Sequence, residues 1–533
     1  MNKKPFKNKW KKYLWPIEKG EYNKFIPMLL LFFFVSFIYN ILRAAKDTLV
    51  ITAPASGAET IPFIKVWVML PMALFLTCIF TRLSNRYGLD KVFYSMISIF
   101  LGFFTIFTFV LYPLKELLHP TATADMLSAI LPAGFKGLIA IFRNWTFTAF
   151  YVMSELWGTS ILTVLFWGVA NEVFDVKEAK RFYILFGLGA NISGIFAGRA
   201  AMLLSSNHFH AFIPFGKTAW EQSVLYMNLT VIGIGFLIIA IFRFLHQNVI
   251  RKQNFAGFQL HLSQKPKMSL KENFSYLAKS KYLIFLALIV VTYNIAINLV
   301  EVLWKNQVKQ LFPNPSEYNA YMGQVMILMG ILATIAALFI SGNILRKCSW
   351  TFSAMIPPAI VIGTGVIFFS FFFFKNHQLL AFSSLFGSTP LALSVFFGTL
   401  QNCMSRASKY TLFDATKEIA FIPLTADYKL KGKAAIDGVG SRFGKSGGSI
   451  IHQSLLIIFS SLSVCAPYVA GIFIIIGCIW IFSVKALGKK FYQLASQKEK
   501  APVLAHIKED PVFATTTATI EKEREKVEEV LKV

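Results

Sequence analysis

At 533 residues, 55% of them apolar and only 15% charged, the chain falls well short of the roughly 25% charged residues of a soluble globular domain. Its net charge of +26 is spread over short segments between apolar runs, which points away from nucleic acid and towards the basic loops that orient a membrane protein. The five cysteines (Cys78, Cys348, Cys403, Cys465 and Cys478) form no C-x-x-C pair, so neither a disulfide framework nor a zinc site is expected.

In chain order, residues 1–24 are basic and lead into an apolar run that is too long for a signal peptide and ends in charge rather than a cleavage site. The run therefore reads as an uncleaved first span. Windows of the length a bilayer-crossing helix needs lie near 25–47, 60–82, 92–113, 145–171, 182–204, 223–245, 282–304, 320–341, 350–374, 386–412, 436–462 and 466–487. The predicted fold is an all-α membrane protein of twelve transmembrane helices in two six-helix halves, 25–245 and 282–487, joined by a basic cytoplasmic linker at 246–281 and followed by a cytoplasmic tail at 488–533. Pro and Gly in the connection 115–143 argue against a further crossing there. With both termini cytoplasmic, the opposite side holds only Lys115, Lys136, Arg143, Lys217, Lys305, Lys309 and Lys375, as the positive-inside bias requires. A weak repeat supports two halves: Tyr-Asn-Ile begins at Tyr39 in the first span and again at Tyr293 in the seventh, 254 residues on.

A charge near the bilayer centre costs about 2.5–3.5 kcal/mol on insertion scales, so it faces a cavity or a partner and marks function by default. Lys46, Glu155, Glu301 and Lys445 meet that description in spans one, four, seven and eleven. Lys46, Arg442 and Lys445 suit the phosphates of an anionic substrate, and Arg43 accompanies Lys46 along the path that such a substrate must take. Span eleven reads "DGVGSRFGKSGG" and span five "FGLGANISGIFAG", where small residues serve either close helix packing or the approach of a ligand to backbone. Although Gly444-Lys445-Ser446 ends like a P-loop, Val439 stands where the first glycine belongs and a basic loop rather than a strand precedes it, which argues against a nucleotide-hydrolysing domain. His208 and His210 lack a third ligand nearby, and no triad or metal cluster suggests an enzyme.

The segments "ILRAAKDTLVITAPASGAETIPFIKVW", "ELWGTSILTVLFWGVANE", "EAKRFYILFGLGAN", "NLVEVLWK", "SKYTLFDATKEIAFIPL" and "GKSGG" resemble the ATP/ADP translocases of plastids and of obligate intracellular bacteria such as chlamydiae. The resemblance runs in order from about residue 25 to 490. It implies a major-facilitator-like carrier in the bacterial inner membrane. Such a carrier exchanges host ATP for bacterial ADP, with phosphate as a further substrate, and works as a monomer in the lipid bilayer with no cofactor. Lys46, Glu155, Glu301 and Lys445 match the family's transport-critical charges, and Asn191 matches the asparagine linked to adenine. Phe186 is the expected stacking partner of the base, and Glu155 and Glu301 are expected to gate the cavity or carry a proton. Ala44, where several exchangers have a polar or acidic residue, keeps a proton-coupled nucleotide symporter as the alternative, beside a nucleotide exchanger of broader range.

Overall fold

The computed structural model describes residues 17–205, 207–250, 280–373, 388–425, 432, 433, 435, 436 and 440–509. Most of the expected linker, most of the basic N-terminal segment and the end of the tail lie outside these residues, as do the side chains of Arg442 and Lys445. Among the described residues the secondary structure is entirely helical.

Among the same residues, ten helices are long and apolar enough to cross a bilayer: α1 (Tyr22–Ile51), α2 (Thr60–Arg86), α3 (Leu89–Leu111), α4 (Trp145–Val173), α5 (Arg181–Leu204), α6 (Ala219–Ile250), α7 (Lys281–Leu311), α8 (Pro315–Lys347), α9 (Trp350–Phe373) and α12 (Leu462–Ser496). Two more helices occupy the predicted tenth and eleventh windows. The first, α10 (Pro390–Ser408), carries Gln401, Asn402 and Arg406 and continues through a π-helical turn at Lys409–Phe413 into Asp414–Ala420. The second, α11 (Ser441–Phe459), has only a short apolar stretch, Ser446–Phe459. Their polar content explains why hydropathy alone singles them out weakly.

Local chemistry sets the helix starts. Asn314 caps α8 by accepting from Ser316 N at 2.9 Å, with Pro315 in the first turn, and Thr389 caps α10 in the same way ahead of Pro390. Each cap satisfies a free N–H, and the proline takes a position where no N–H is needed. The connection between α3 and α4 folds into the short helices Lys115–Leu118, Thr121–Ile130 and Lys136–Arg143, none long enough to cross.

The first helix packs on α4, α5 and α6, while α7 packs on α10, α11 and α12. Between these two groups α5 lies along α8, and α2 meets α11. The α5–α8 contact is made backbone to backbone: a Cβ at Gly198 would lie 2.5 Å from the Gly323 carbonyl oxygen, and one at Gly330 would lie 2.8 Å from that of Asn191. Only glycine permits that approach. Large apolar side chains such as Phe75, Phe236, Phe339 and Phe482 stay exposed on the outside of the bundle, as lipid contact requires.

Several helices contain π-helical turns, including Ile64–Val68 in α2, Gly158–Leu165 in α4 and Lys409–Phe413 after α10. Such turns re-aim side chains and concentrate at functional sites. The bundle has a near end, where α1 begins, and a far end, where α1 and α7 finish.

Candidate functional site

Asp47 and Lys46 are neighbours on α1, so their side chains leave the helix in directions about 100° apart and reach different partners. Lys46 Nζ bonds Glu155 Oε1 of α4 at 2.9 Å and Asp47 Oδ1 at 2.8 Å. The other oxygen of Asp47 accepts from Lys305 Nζ of α7 at 2.8 Å. Lys305, one turn beyond Glu301, bonds Glu301 Oε1 at 3.0 Å, and Arg406 of α10 donates to the same oxygen at 3.0 Å. The result is one unbroken chain of alternating charge, Glu155–Lys46–Asp47–Lys305–Glu301–Arg406, running through α4, α1, α7 and α10.

Three carboxylates balance three cations, and each member has an oppositely charged neighbour. That pairing is what makes burial tolerable, since a single unpaired charge in this setting is strongly destabilising. Asp47 and Lys46 are 1% and 2% exposed and Lys305 is 3%, whereas Glu155 at one end of the chain is 30% and Arg406 at the other is 18%. The centre is sealed and the ends are open. The Tyr151 ring covers Lys46 with its face, 3.9 Å from Nζ, a favourable cation–π contact.

Further ties hold the far end closed. Thr48 Oγ1 donates to Asn319 Oδ1 at 3.0 Å and Asn319 Nδ2 to Ser205 Oγ at 2.7 Å, joining α1, α8 and the end of α5. Lys309 Nζ donates to the Ser56 carbonyl at 2.6 Å, and Gln453 of α11 to the Pro62 carbonyl of α2 at 2.8 Å.

Of the residues named from sequence, Lys46, Glu155 and Glu301 thus meet in one chain. Asp47, Lys305 and Arg406 belong to it equally and were missed. An apolar window that stops near 304 puts Lys305 in a loop, but α7 continues to Leu311, and both Lys305 and Lys309 find partners inside the bundle. The signals were present in Asp47 beside Lys46 and in Arg406 within an apolar window.

Phe186 is a correction. It is fully buried, stacked on Phe25 at 5.7 Å and packed against Phe32, Phe166 and Phe174, so no face is open to a base. Phe25 precedes Lys46 by 21 positions on α1, which places this aromatic cluster about 30 Å from the charges at 1.5 Å per residue. Asn191 of α5 is partly exposed and its side chain makes no hydrogen bond among the described residues, while its carbonyl abuts Gly330. The glycines around Lys445 serve packing: Cβ atoms at Gly444 and Gly448 would lie 2.7 and 2.9 Å from Asn294 and Asn298 of α7.

Comparison with known proteins bears on this geometry. The family model described as "TLC ATP/ADP transporter" matches residues 1–491. The chain is 44% identical over 523 residues to ADP,ATP carrier protein 1 of Chlamydia muridarum (strain MoPn / Nigg), covering 98% of this chain and 96% of that one. It is 42% identical over 486 residues to the chloroplastic ADP,ATP carrier protein 1 of Arabidopsis thaliana, covering 91% and 76%. Among solved structures, a bacterial homologue of the iron transporter ferroportin in its inward-facing state superposes with a TM-score of 0.50 at 13% identity, over 90% of this chain and 97% of that one, a likeness of fold alone. A matched chain this long, with buried charges joining four helices, belongs to the TLC ATP/ADP transporter family.

Proposed function

We propose that the protein exchanges external ATP for internal ADP by alternating access across a bacterial inner membrane. The observation that carries this reading is the six-charge chain, which ties α1 and α4 to α7 and α10 in a protein whose relatives are named ADP,ATP carriers. In this reading the near end and both termini are cytoplasmic, the protein works as a monomer in lipid, and phosphate accompanies ADP. Twelve spans form two halves, 25–245 and 282–487. The matching neighbours of α1 and α7 support that division, as does the 254-residue repeat, which aligns Asp47 with Glu301.

The chain of charges then acts as the far-side gate. Phosphate oxygens arriving beside Lys46 and Arg406 compete with Glu155 and Glu301 for the same cations, and a ligand shifts a conformational equilibrium by the difference in its affinity for the two states. An empty carrier keeps its ion pairs and stays shut. That predicts obligate exchange: proteoliposomes preloaded with ADP take up labelled ATP at least tenfold faster than empty ones, and collapse of a proton gradient changes the rate little. Equal uptake by empty vesicles, stopped by that collapse, would overturn exchange in favour of proton symport through Glu155 or Glu301.

Asn191 remains the proposed reader of adenine, since an amide offers a donor and an acceptor to the amino group and N7. Its free side chain supports this. Asn191→Ala is expected to reduce the preference for ATP over GTP about tenfold or more, because a pocket matched to the amino group rejects a carbonyl there. An unchanged preference would place base reading elsewhere. Arg442 and Lys445 remain proposed phosphate contacts from the start of α11.

A further inference from the structure

The cations of the charge chain are already satisfied. Lys46 bonds two carboxylates beneath the Tyr151 ring, Lys305 likewise bonds two, and both lysines are almost wholly buried. A polyphosphate approaching the closed chain needs cations that are open and unpaired. Two such cations lie beside it. Arg43 and Lys65 are each partly exposed and form no ion pair or hydrogen bond among the described residues.

Arg43 precedes Lys46 by three positions and so lies on the same side of α1. It lines a crevice of about 20 Å³ between α1, α7, α8 and α10, together with Arg406, Asn402, Trp304 and Met326. Lys65 sits in the π-helical turn Ile64–Val68 of α2, within electrostatic reach of Glu301, Lys305, Glu155 and Lys46. The turn that carries Lys65 packs against α4, which bears Glu155, and against α11, and Glu301 lies within electrostatic range of both Arg43 and Lys65. Because the six-charge chain is neutral, Arg43 and Lys65 leave this region with two uncompensated positive charges.

We infer that Arg43 and Lys65 are the first phosphate contacts of the closed carrier, binding the di- or triphosphate tail of the substrate with the free edge of Arg406. This rests on the reading of the protein as a nucleotide carrier; it adds Lys65, and it turns Arg43 from a residue along the substrate's path into a direct contact. A guanidinium offers a planar fork to two phosphate oxygens, and an ammonium offers a mobile point charge. With contacts on α1, α2 and α10, a bound tail draws helices from both sides of the gate onto one anion. Two cations beyond the neutral chain favour several phosphates over one.

The test uses the full chain, purified and reconstituted with internal ADP, and compares Arg43→Gln, Lys65→Gln, Arg43→Lys and Lys65→Arg with the wild type. Each neutral variant is expected to raise the KM for ATP and for ADP tenfold or more with a smaller fall in maximal rate, and to weaken competition by AMP less than competition by ADP. Arg43→Lys recovers part of the loss. Melting of the purified variants without nucleotide, close to that of the wild type, separates lost contact from lost structure. Wild-type KM values in both neutral variants overturn the inference. Should a neutral variant fail to insert, the charge-preserving ones decide: a shift in KM of threefold or more is expected in Arg43→Lys, and no shift in either overturns the assignment. If the wild type itself does not exchange ATP for ADP, the carrier reading fails first, and the two failures are distinct.

Discussion

Asp47→Asn is expected to reduce ATP/ADP exchange by at least a hundredfold and to destabilise the purified protein by about 3 kcal/mol, the lower end of the range for breaking a buried ion pair. Asp47 has the lowest exposure in the charge chain and is the link between its two sides, holding Lys46 of α1 with one oxygen and Lys305 of α7 with the other. The amide keeps the shape and removes the charge, so both lysines are left with a single carboxylate each. The lower end of the range applies because neither cation is left without any partner: Glu155 and Glu301 remain in place. Adding Lys305→Met to Asp47→Asn removes the excess positive charge, since Glu301 keeps Arg406, and is expected to restore about 1 kcal/mol or more, the size of coupling found between residues in direct contact. Thermal melting in detergent reads stability and reconstituted vesicles read exchange. With Lys305→Met measured alone to close the cycle, a double variant whose loss equals the sum of the two single losses would show that Asp47 and Lys305 are not coupled.

Gly198→Ala is expected to cost about 1–3 kcal/mol, the range for overpacking a tight core, and to slow exchange tenfold or more. The added methyl would meet the Gly323 carbonyl oxygen at 2.5 Å, and because the obstacle is backbone, it cannot be relieved by a rotamer change. Helices α5 and α8 would have to separate along their shared length, disturbing the tie from Thr48 through Asn319 to Ser205 at the far end of the same seam. Gly187→Ala on α5 provides the control, since a Cβ there meets nothing within 4 Å and alanine favours helix over glycine. Equal melting and equal exchange for the two variants would mean that the α5–α8 approach is not used in transport.

Hydropathy made the apolar helices legible, and the cost of burying charge singled out Lys46, Glu155 and Glu301 before any partner was known. What the sequence hid was pairing at a distance. Lys305 is tolerated inside α7 because Asp47, far away in the chain, supplies its counter-charge, and a window scan that scores each segment alone ends the helix just before it. Arg406 was hidden in the same way by Glu301. Phe186 was a reasonable stacking partner by residue type, yet its place is decided by Phe25, which covers it in the folded bundle. The glycines of spans five and eleven stood open to either packing or ligand contact, and the α8 backbone at Gly198 and the α7 side chains Asn294 and Asn298 at Gly444 and Gly448 resolve those three in favour of packing.

The neutrality of the charge chain has an electrical consequence. Three carboxylates and three cations sum to zero, so forming or breaking the chain carries no net charge through the membrane field beyond short side-chain movements. Voltage would then act chiefly on what is carried. ATP bears one more negative charge than ADP, and one-for-one exchange therefore moves about one elementary charge per cycle, worth about 2.3 kcal/mol per 100 mV. An inside-negative potential would oppose ATP entry by that amount unless another anion leaves with ADP. The reversal potential of exchange in vesicles would thus report whether phosphate travels with ADP, and in what ratio.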